Sequence, residues 1–201
     1  MTGTLVLHDF ALDPRCYAVR LALSVLGIDH QVRPVDVYPG GEHRGAVYRR
    51  LTPTGELPVV EHGGTVVVGT ARVLQHLVQL TDHRRTWAGP GVDTWLEFSA
   101  GPLAAVYTAR DTAMYTTEPF DPGAAVSALR TLDDHLALQR LQDHWVVGNR
   151  PTIADLALFP AAALSRDIGV DHDRFPALRH WMRKVKLLPG FTEMPGIPVF
   201  P

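Results

Sequence analysis

Apolar and polar positions change their spacing several times in the first part of the chain. Residues 4–8 form a short apolar run typical of a strand, and residues 15–27 carry apolar positions at helical spacing before a closing glycine. Residues 30–35 alternate in the manner of a second strand. The Pro-Gly-Gly sequence at 39–41 interrupts that alternation, so residues 38–45 are expected to form a loop.

The next segment predicts a hairpin followed by a helix. Two apolar runs, residues 57–61 and 65–68, are separated by a His-Gly-Gly sequence, which is a turn signal between antiparallel strands. Residues 70–80 then return to helical spacing. A strand–helix–strand crossover followed by a hairpin gives a mixed four-stranded sheet with helices on its faces, which is an α/β domain.

The pattern changes again after residue 80. Residues 81–91 are polar and rich in Gly and Pro, so we expect a linker there. No strand pattern follows, and helical spacing occupies residues 92–113, 123–141, 152–165 and 176–188. We therefore expect an α/β domain at 1–80, a linker at 81–91, an all-α domain at 92–190 and an extended tail at 191–201. In the tail, Ile197, Val199 and Phe200 predict packing onto the body.

Composition narrows the class of protein. The chain has 201 residues, 46% of them apolar and 20% charged, and a net charge of −2, as in a globular protein that does not bind nucleic acid. Its longest run without Asp, Glu, Lys or Arg, residues 98–109, is too short to span a bilayer. The N-terminus has no basic segment ahead of its apolar run, which argues against a signal peptide.

The cysteine and histidine residues give expectations about disulfides and metal sites. The lone cysteine, Cys16, permits no internal disulfide, so we expect a cytoplasmic location. The ten histidines do not pair at the spacing of metal ligands, so no metal site is expected. The sequence also contains no phosphate-binding loop.

Four local motifs occur in order along the chain. They are DPRCYAVR at 13–20, GEH at 41–43 followed by TPTGELPVV at 52–60, VGNRPTIAD at 147–155, and PALRHW at 176–181 followed by LPGF at 188–191. Together they resemble the cytosolic glutathione S-transferase family over nearly the whole chain. The resemblance implies a thioredoxin-like domain joined to an all-helical domain, a homodimer, and glutathione as the cofactor, although another small thiol or none stays open.

The resemblance assigns roles to residues of the first domain. It implies a cis bond before Pro58 and a peptide-binding backbone across Leu57, Pro58 and Val59, with Val59 offering its N–H and C=O groups; an ordinary turn proline is the alternative. At the next helix start, Thr70 would grip the γ-glutamyl carboxylate, or else simply cap the helix. Gly69 stands where the family usually has an acidic residue.

One position in the loop is also implied. His43 matches a residue that contacts the glycine carboxylate of glutathione in some classes of the family. A solvated loop histidine is the alternative interpretation.

The reactive position departs from the family pattern. Asp13 stands where several classes have a serine whose hydroxyl stabilises the glutathione thiolate, and a carboxylate there would raise the pKa of that thiol. One alternative is that Asp13 only caps a helix, because Asp followed by proline is a helix-start signal. Another is that Asp13 acts as a general acid or base. Cys16 and Tyr17 are the other candidates; Cys16 also fits a buried small apolar residue.

The resemblance places a second substrate pocket between the domains. Its lining residues would come from the first long helix of the second domain: Leu103, Tyr107, Arg110, Met114 and Tyr115. Arg110 is the informative member, because a guanidinium facing the cleft binds a carboxylate or an enolate. The alternative is a helix core with a solvated arginine.

Thr152 and Asp155 are spaced as a capping box, which is a structural signal. For function, the leading hypothesis is a glutathione S-transferase-like enzyme that acts on a small electrophilic or unsaturated molecule by thiol conjugation or thiol-assisted isomerisation. One alternative is a glutathione-independent isomerase or cyclase of specialised metabolism on the same fold. The other is a non-catalytic binding or scaffolding protein.

Overall fold

A mixed sheet of four strands forms the first half of the chain. The computed structural model describes residues 3–82 and 84–197. The strands are β1 (Val6–Asp9), β2 (Gln31–Pro34), β3 (Val59–His62) and β4 (Thr65–Val68), in the spatial order β2-β1-β3-β4. β1 runs parallel to β2 and antiparallel to β3, and β3 and β4 form the predicted hairpin.

Two helices pack with this sheet. Helix α1 (Pro14–Val25) makes the crossover from β1 to β2, and α2 (Thr70–Gln79) follows the hairpin. The loop after β2 contains single 3₁₀ turns at Glu42–Arg44 and Tyr48–Arg50. The Leu57–Pro58 bond is cis, as the resemblance implied, and the Tyr38–Pro39 bond is cis as well.

Helices make up the second half. They are α3 (Arg84–Trp87), α4 (Val92–Ala100), α5 (Ala104–Tyr115), α6 (Gly123–Arg140), α7 (Ile153–Leu164) and α8 (Pro176–Lys186). Helix α3 lies within the segment predicted to be a linker. In the described residues no helix is long and apolar enough to cross a membrane.

The prediction of one helix over residues 92–113 was wrong. The helix is interrupted between α4 and α5 at Gly101, whose φ of −102° and ψ of −100° are not helical. Pro102 explains the break, because proline lacks the N–H that continues a helix and disfavours helical backbone at the residue before it. Helix α5 therefore begins anew at Ala104 and runs on to Tyr115.

The capping box at the start of α7 is confirmed. Asp155 Oδ2 accepts a hydrogen bond of 2.8 Å from the backbone N–H of Thr152. The other carboxylate oxygen accepts from Val146 N (3.2 Å) and from Trp181 Nε1 (2.8 Å). The buried carboxylate thus connects the start of α7 with α8 and with the preceding loop.

The two halves share one hydrophobic core. Helix α1 packs along α7, and the Tyr17 and Phe159 rings meet across that contact with centroids 6.4 Å apart. The described part of the predicted tail packs against the same core through Phe191, Met194 and Ile197. Val199 and Phe200 lie outside the described residues. The shared core fixes the cleft between the sheet and α5.

Candidate active site

Two neighbouring cavities occupy the cleft between the sheet domain and helices α4 and α5. One, about 270 Å³, reaches the start of α2, and we call it the α2 cavity. The other, about 600 Å³, is bounded by the loop after β2, and we call it the loop cavity. Arg15, Thr108 and Asp111 line both cavities, and we call them the junction residues.

Asp13 caps helix α1 and is held by Arg15. Its φ of −84° and ψ of 120° are those of an N-cap, and Oδ1 accepts from the backbone N–H of Arg15 at 2.7 Å. The Arg15 side chain closes the pair through Nε to Oδ1 (3.0 Å) and Nη2 to Oδ2 (2.8 Å). Both carboxylate oxygens are therefore engaged, which supports the capping interpretation and leaves Asp13 poorly placed as an acid or base.

The other two candidates on α1 point away from the cavities. Cys16 is fully buried in a small cluster under the sheet with Tyr48 and Val59. Burial raises the pKa of its thiol well above the usual range, and Asp13 adds to the effect. The Tyr17 hydroxyl donates to the carbonyl oxygen of Thr192 at 2.6 Å, and burial raises the pKa of this phenol. Both residues have structural roles in this arrangement.

Beside the cis proline, the backbone that is open to the α2 cavity belongs to Leu57 and not to Val59. Val59 is buried and pairs with His8 of β1 on one side and Val68 of β4 on the other, so its backbone is enclosed in the sheet. Leu57 lines the α2 cavity, and its backbone N–H and C=O have no hydrogen-bond partner in the described part of the chain. An unpaired backbone edge beside a cavity suits an extended peptide.

Helix α2 begins without a side-chain cap. Gly69 is the N-cap residue and Thr70 is the first helical residue, so the capping alternative for Thr70 was wrong. The φ of 89° at Gly69 lies in the region that favours glycine, which accounts for its presence instead of an acidic residue. Gly69, Thr70 and Ala71 all line the α2 cavity. Uncapped N–H groups and the helix dipole make this end attractive to an anion.

His43 lies in the loop, as expected, and lines the loop cavity. Arg44 Nε donates to His43 Nε2 at 3.2 Å. Burial and the neighbouring Arg44 charge lower the pKa of His43, so the imidazole is neutral at neutral pH. Its Nδ1 is buried and has no partner in the described residues.

Arg110 does not face the cleft, contrary to the prediction. Its side chain is only 4% exposed, and Nε donates to Asp167 Oδ2 at 2.6 Å. Nη1 donates to the carbonyl oxygen of Leu12 at 3.2 Å. The guanidinium therefore joins α5 to the 3₁₀ turn after α7 and to the loop before α1, and it is not available to a substrate.

The remaining predicted pocket residues divide into three groups. Leu103 is fully buried in the core, and Met114 is exposed beside a separate shallow depression at the end of α5. Tyr107 lines the α2 cavity and Tyr115 the loop cavity. The Tyr115 ring contacts that of Tyr38, with centroids 5.4 Å apart, and together they form an aromatic wall.

Arg15, Thr108 and Asp111 line the cavities but were not among the pocket residues expected from the sequence. Tyr107, Asp111 and Tyr115 are spaced i, i+4 and i+8, which places them on one face of α5. That spacing was the available signal. Asp111 is half-buried, and burial raises the pKa of its carboxyl while the Arg15 charge opposes the rise.

Two family models match the chain. The model described as "Glutathione S-transferase, N-terminal domain" matches residues 14–80. The model described as "Glutathione S-transferase, C-terminal domain" matches residues 121–184. The first match falls on the sheet-bearing half of the chain and the second on the helical half.

Relatives align with most of the chain. Glutathione S-transferase verG of Clonostachys rogersoniana is 31% identical over 197 residues, which cover 86% of this chain and 79% of that protein. The maleylacetoacetate isomerase of Pseudomonas aeruginosa is 23% identical over 209 residues, which cover 93% of each.

A similar fold occurs in a solved structure, that of a glutathione transferase homolog from Lodderomyces elongisporus with two GSH per subunit. It matches with a TM-score of 0.82 and 22% identity, covering 93% of this chain and 95% of that one. At this identity the likeness shows the fold.

Proposed function

Because the chain belongs to the glutathione S-transferase family, we propose that it binds glutathione in the α2 cavity and acts on a small electrophilic or unsaturated molecule in the loop cavity. Its relatives are named as a transferase and as isomerases, so thiol conjugation and thiol-assisted isomerisation both belong to the proposal. The observation that carries it is the uncapped start of α2 beside the unpaired Leu57 backbone.

The α2 cavity fits an extended peptide with a carboxylate at one end. The N–H groups at the start of α2 would hold the γ-glutamyl carboxylate, and the Thr70 hydroxyl, which has no hydrogen-bond partner in the described residues, would add a donor. The Leu57 backbone would align the peptide. His43, on the loop cavity, would donate to the carboxylate at the other end from its Nδ1, which has no partner in the described residues.

The thiol end has no hydroxyl from α1 to stabilise it. Bound glutathione supplies a thiol that, once deprotonated, adds to an electron-poor carbon. Arg15 lies at the junction, and its charge favours an anion there. The Asp13 carboxylate, which alone would oppose an anion, is already neutralised by Arg15. The Nη1 group of Arg15, which donates to no described residue, would thus take the place of the hydroxyl that other members of the family supply.

The loop cavity suits a flat, unsaturated substrate. Tyr38 and Tyr115 supply an aromatic wall, and Phe10 and Val37 add apolar surface. Arg44 at the same cavity makes no ion pair with a described carboxylate, so it can receive an acidic substituent of the substrate. These features support a small conjugated molecule that carries a carbonyl or carboxylate group.

We extend the proposal to assembly and location. Val47 and Val66 on the sheet domain are 72% and 40% exposed, and such surface is commonly covered by a partner. A homodimer of this chain would cover it, and sedimentation velocity of the purified protein tests that directly. A buried, unpaired Cys16 supports the reducing cytoplasm, which localisation of a tagged chain would test.

Calorimetric titration with glutathione tests the binding proposal. We expect saturable binding by the wild-type protein and about fivefold weaker binding by Thr70→Val, which removes one hydroxyl donor and keeps the branched shape. Thr65→Val is the matched control, because it makes the same change on the exposed strand β4, away from both cavities. Absence of binding at several millimolar glutathione would overturn the proposal and favour a glutathione-independent enzyme.

A further inference from the structure

The junction residues are the place where molecules from the two cavities would meet. Among the described residues that line the cavities, Arg15, Thr108 and Asp111 are common to both. The Thr108 hydroxyl turns back to the Ala104 carbonyl oxygen at 3.4 Å. Arg15 and Asp111 therefore supply the charge at this point, one from α1 and one from α5.

Arg15 keeps donors free for a second anion. Asp13 takes its Nε and Nη2 groups, and the Nη1 group donates to no described residue. A guanidinium carries five N–H donors in a fixed planar arrangement. The same side chain can therefore neutralise Asp13 and still hydrogen-bond an oxygen that becomes negative during a reaction.

Asp111 is the unengaged acid of the junction. In residues 3–82 and 84–197 no hydrogen bond or ion pair occupies its carboxyl. The charged and titratable groups around it are Arg15 and Asp13 from the α1 turn, and Arg110 and Tyr115 on its own helix. Of the two carboxyls beside Arg15, Asp13 is fixed as a helix cap, so Asp111 is the one free to exchange a proton.

We propose that Asp111 is a catalytic proton donor for substrates whose double bond is conjugated to a carbonyl group, with Arg15 holding the carbonyl oxygen as it becomes negative. The proposal rests on the proposed function. When a new bond forms at the β-carbon, the π electrons move onto the carbonyl oxygen beside Arg15. Asp111 then gives its proton to the α-carbon, the electron pair returns from oxygen to form that C–H bond, and Asp111 regains a proton from water. The thiol proton leaves to water, so the balance needs no oxidant or reductant.

Proximity to a thiolate explains why Asp111 would keep its proton. Two negative charges close together cannot both ionise readily, so an anion at the junction holds the neighbouring carboxyl in its protonated form. Arg15 stabilises the thiolate first and the carbonyl oxygen afterwards. An acid and an anion are then present together at one point, as addition to a conjugated double bond requires.

Two probe electrophiles separate proton donation from thiol activation. Addition to benzylideneacetone, a conjugated ketone, needs a proton at carbon, whereas displacement of chloride from chlorodinitrobenzene does not. We expect Asp111→Asn to lower kcat/KM for the ketone by about 100-fold. For chlorodinitrobenzene we expect no loss beyond about threefold, because this reaction needs no proton at carbon and the change removes a negative charge beside the thiolate. Equal losses with both probes would overturn the proposal.

A proton count during glutathione binding gives a readout that does not depend on turnover. Calorimetry at about pH 6 in buffers of different ionisation enthalpy measures the protons exchanged when glutathione binds. We expect wild-type protein to take up more protons than Asp111→Asn, because the bound thiolate promotes protonation of Asp111. An identical count in both proteins contradicts the proposal even where neither probe reacts.

Matched variants complete the test. Asp134→Asn makes the same change on the exposed face of α6 and should match the wild type in every readout. Asp111→Glu restores a carboxyl and should recover about tenfold of the lost ketone activity. If wild-type protein fails to bind glutathione, the proposed function itself fails. If glutathione binds normally and Asp111→Asn behaves as wild type, only the role of Asp111 is wrong.

Discussion

The starts of α7 and α2 have threonine near the first turn and serve opposite purposes. At α7, Asp155 is fully buried and accepts hydrogen bonds from Thr152, Val146 and Trp181. At α2, Gly69 provides no side-chain cap, and the Thr70 hydroxyl has no partner in the described residues. One helix end is closed by the protein itself, and the other is left open to a cavity.

The difference shows how a helix terminus is assigned to stability or to binding. Every helix start leaves N–H groups without an intrahelical partner, and the protein either satisfies them or leaves them for a ligand. The closed end of α7 connects elements of the core. The open end of α2 lacks that stabilisation and is the end proposed to bind the γ-glutamyl carboxylate. Changes at the two ends should therefore separate stability from glutathione affinity.

The largest effect is expected from opening the closed end. Asp155→Ala leaves four buried donors without their acceptor, two of them on Thr152, and we expect the free energy of unfolding to fall by about 3–5 kcal/mol. Urea unfolding followed by circular dichroism measures this change. Asp155→Asn keeps one acceptor oxygen and should lose less. A loss below about 1 kcal/mol for Asp155→Ala would contradict the structural role of this end.

The other end of α7 should make stability depend on pH. The buried His172 lies with Nε2 2.9 Å from Ser165 Oγ, and burial, with Arg166, lowers the pKa of His172 to about 4. The unfolded chain takes up this proton near pH 6.5, so the contribution of neutral His172 is complete above that pH and is lost as the pH falls towards 4.

Unfolding at pH 7 and at pH 4 checks this contribution. Wild-type protein should lose about 3 kcal/mol more between these values than His172→Gln, which cannot take up a proton. The difference between the two proteins removes the effect of the shared carboxyl groups. Equal losses of unfolding free energy in both proteins would show that His172 does not cause the loss of stability at acid pH.

A smaller effect on stability is expected at the start of α1, where Asp13 caps the helix and also lines the loop cavity. Asp13→Ala removes the cap and should lower the free energy of unfolding by about 1 kcal/mol. Asp13→Asn keeps an oxygen for the Arg15 N–H and should lose less. Thermal and urea unfolding of the pair measure this, and equal losses would mean that the cap is not the source of the stability.

The smallest effect on stability is expected at the open end. Thr70→Val should change the free energy of unfolding by less than about 0.5 kcal/mol, because its hydroxyl stabilises no group of the described protein. The same variant is expected to weaken glutathione binding about fivefold. Urea unfolding and calorimetric titration of this variant should together show nearly unchanged stability and weaker glutathione binding, whereas Asp155→Ala should lose stability. A large loss of stability with normal binding would remove the contrast between the two ends.

Local patterns were sufficient for the fold. The hairpin, the cap at Asp13 and the capping box at Thr152 and Asp155 each depend on residues close together in sequence. The alternation of the first half and the helical spacing of the second half predicted the two-part architecture. These features need no knowledge of what packs against them.

The site depended on contacts between distant segments. The predicted pocket face of α5 combined Tyr107 with Arg110 and Met114, whereas the face that lines the cavities runs through Tyr107, Asp111 and Tyr115. Arg110 instead pairs with Asp167, far along the chain. Val59 was expected to offer its N–H and C=O groups to the peptide because its pairing with β1 and β4 cannot be read from the sequence.

A crystal structure of the protein grown with millimolar glutathione would show where the peptide and its sulfur lie. We expect the γ-glutamyl carboxylate at the start of α2, the peptide along the Leu57 backbone, and the sulfur at the junction beside Arg15 and Asp111. Glutathione bound with its sulfur at Asp13 alone, or an α2 cavity without glutathione under these conditions, would refute the proposed binding mode.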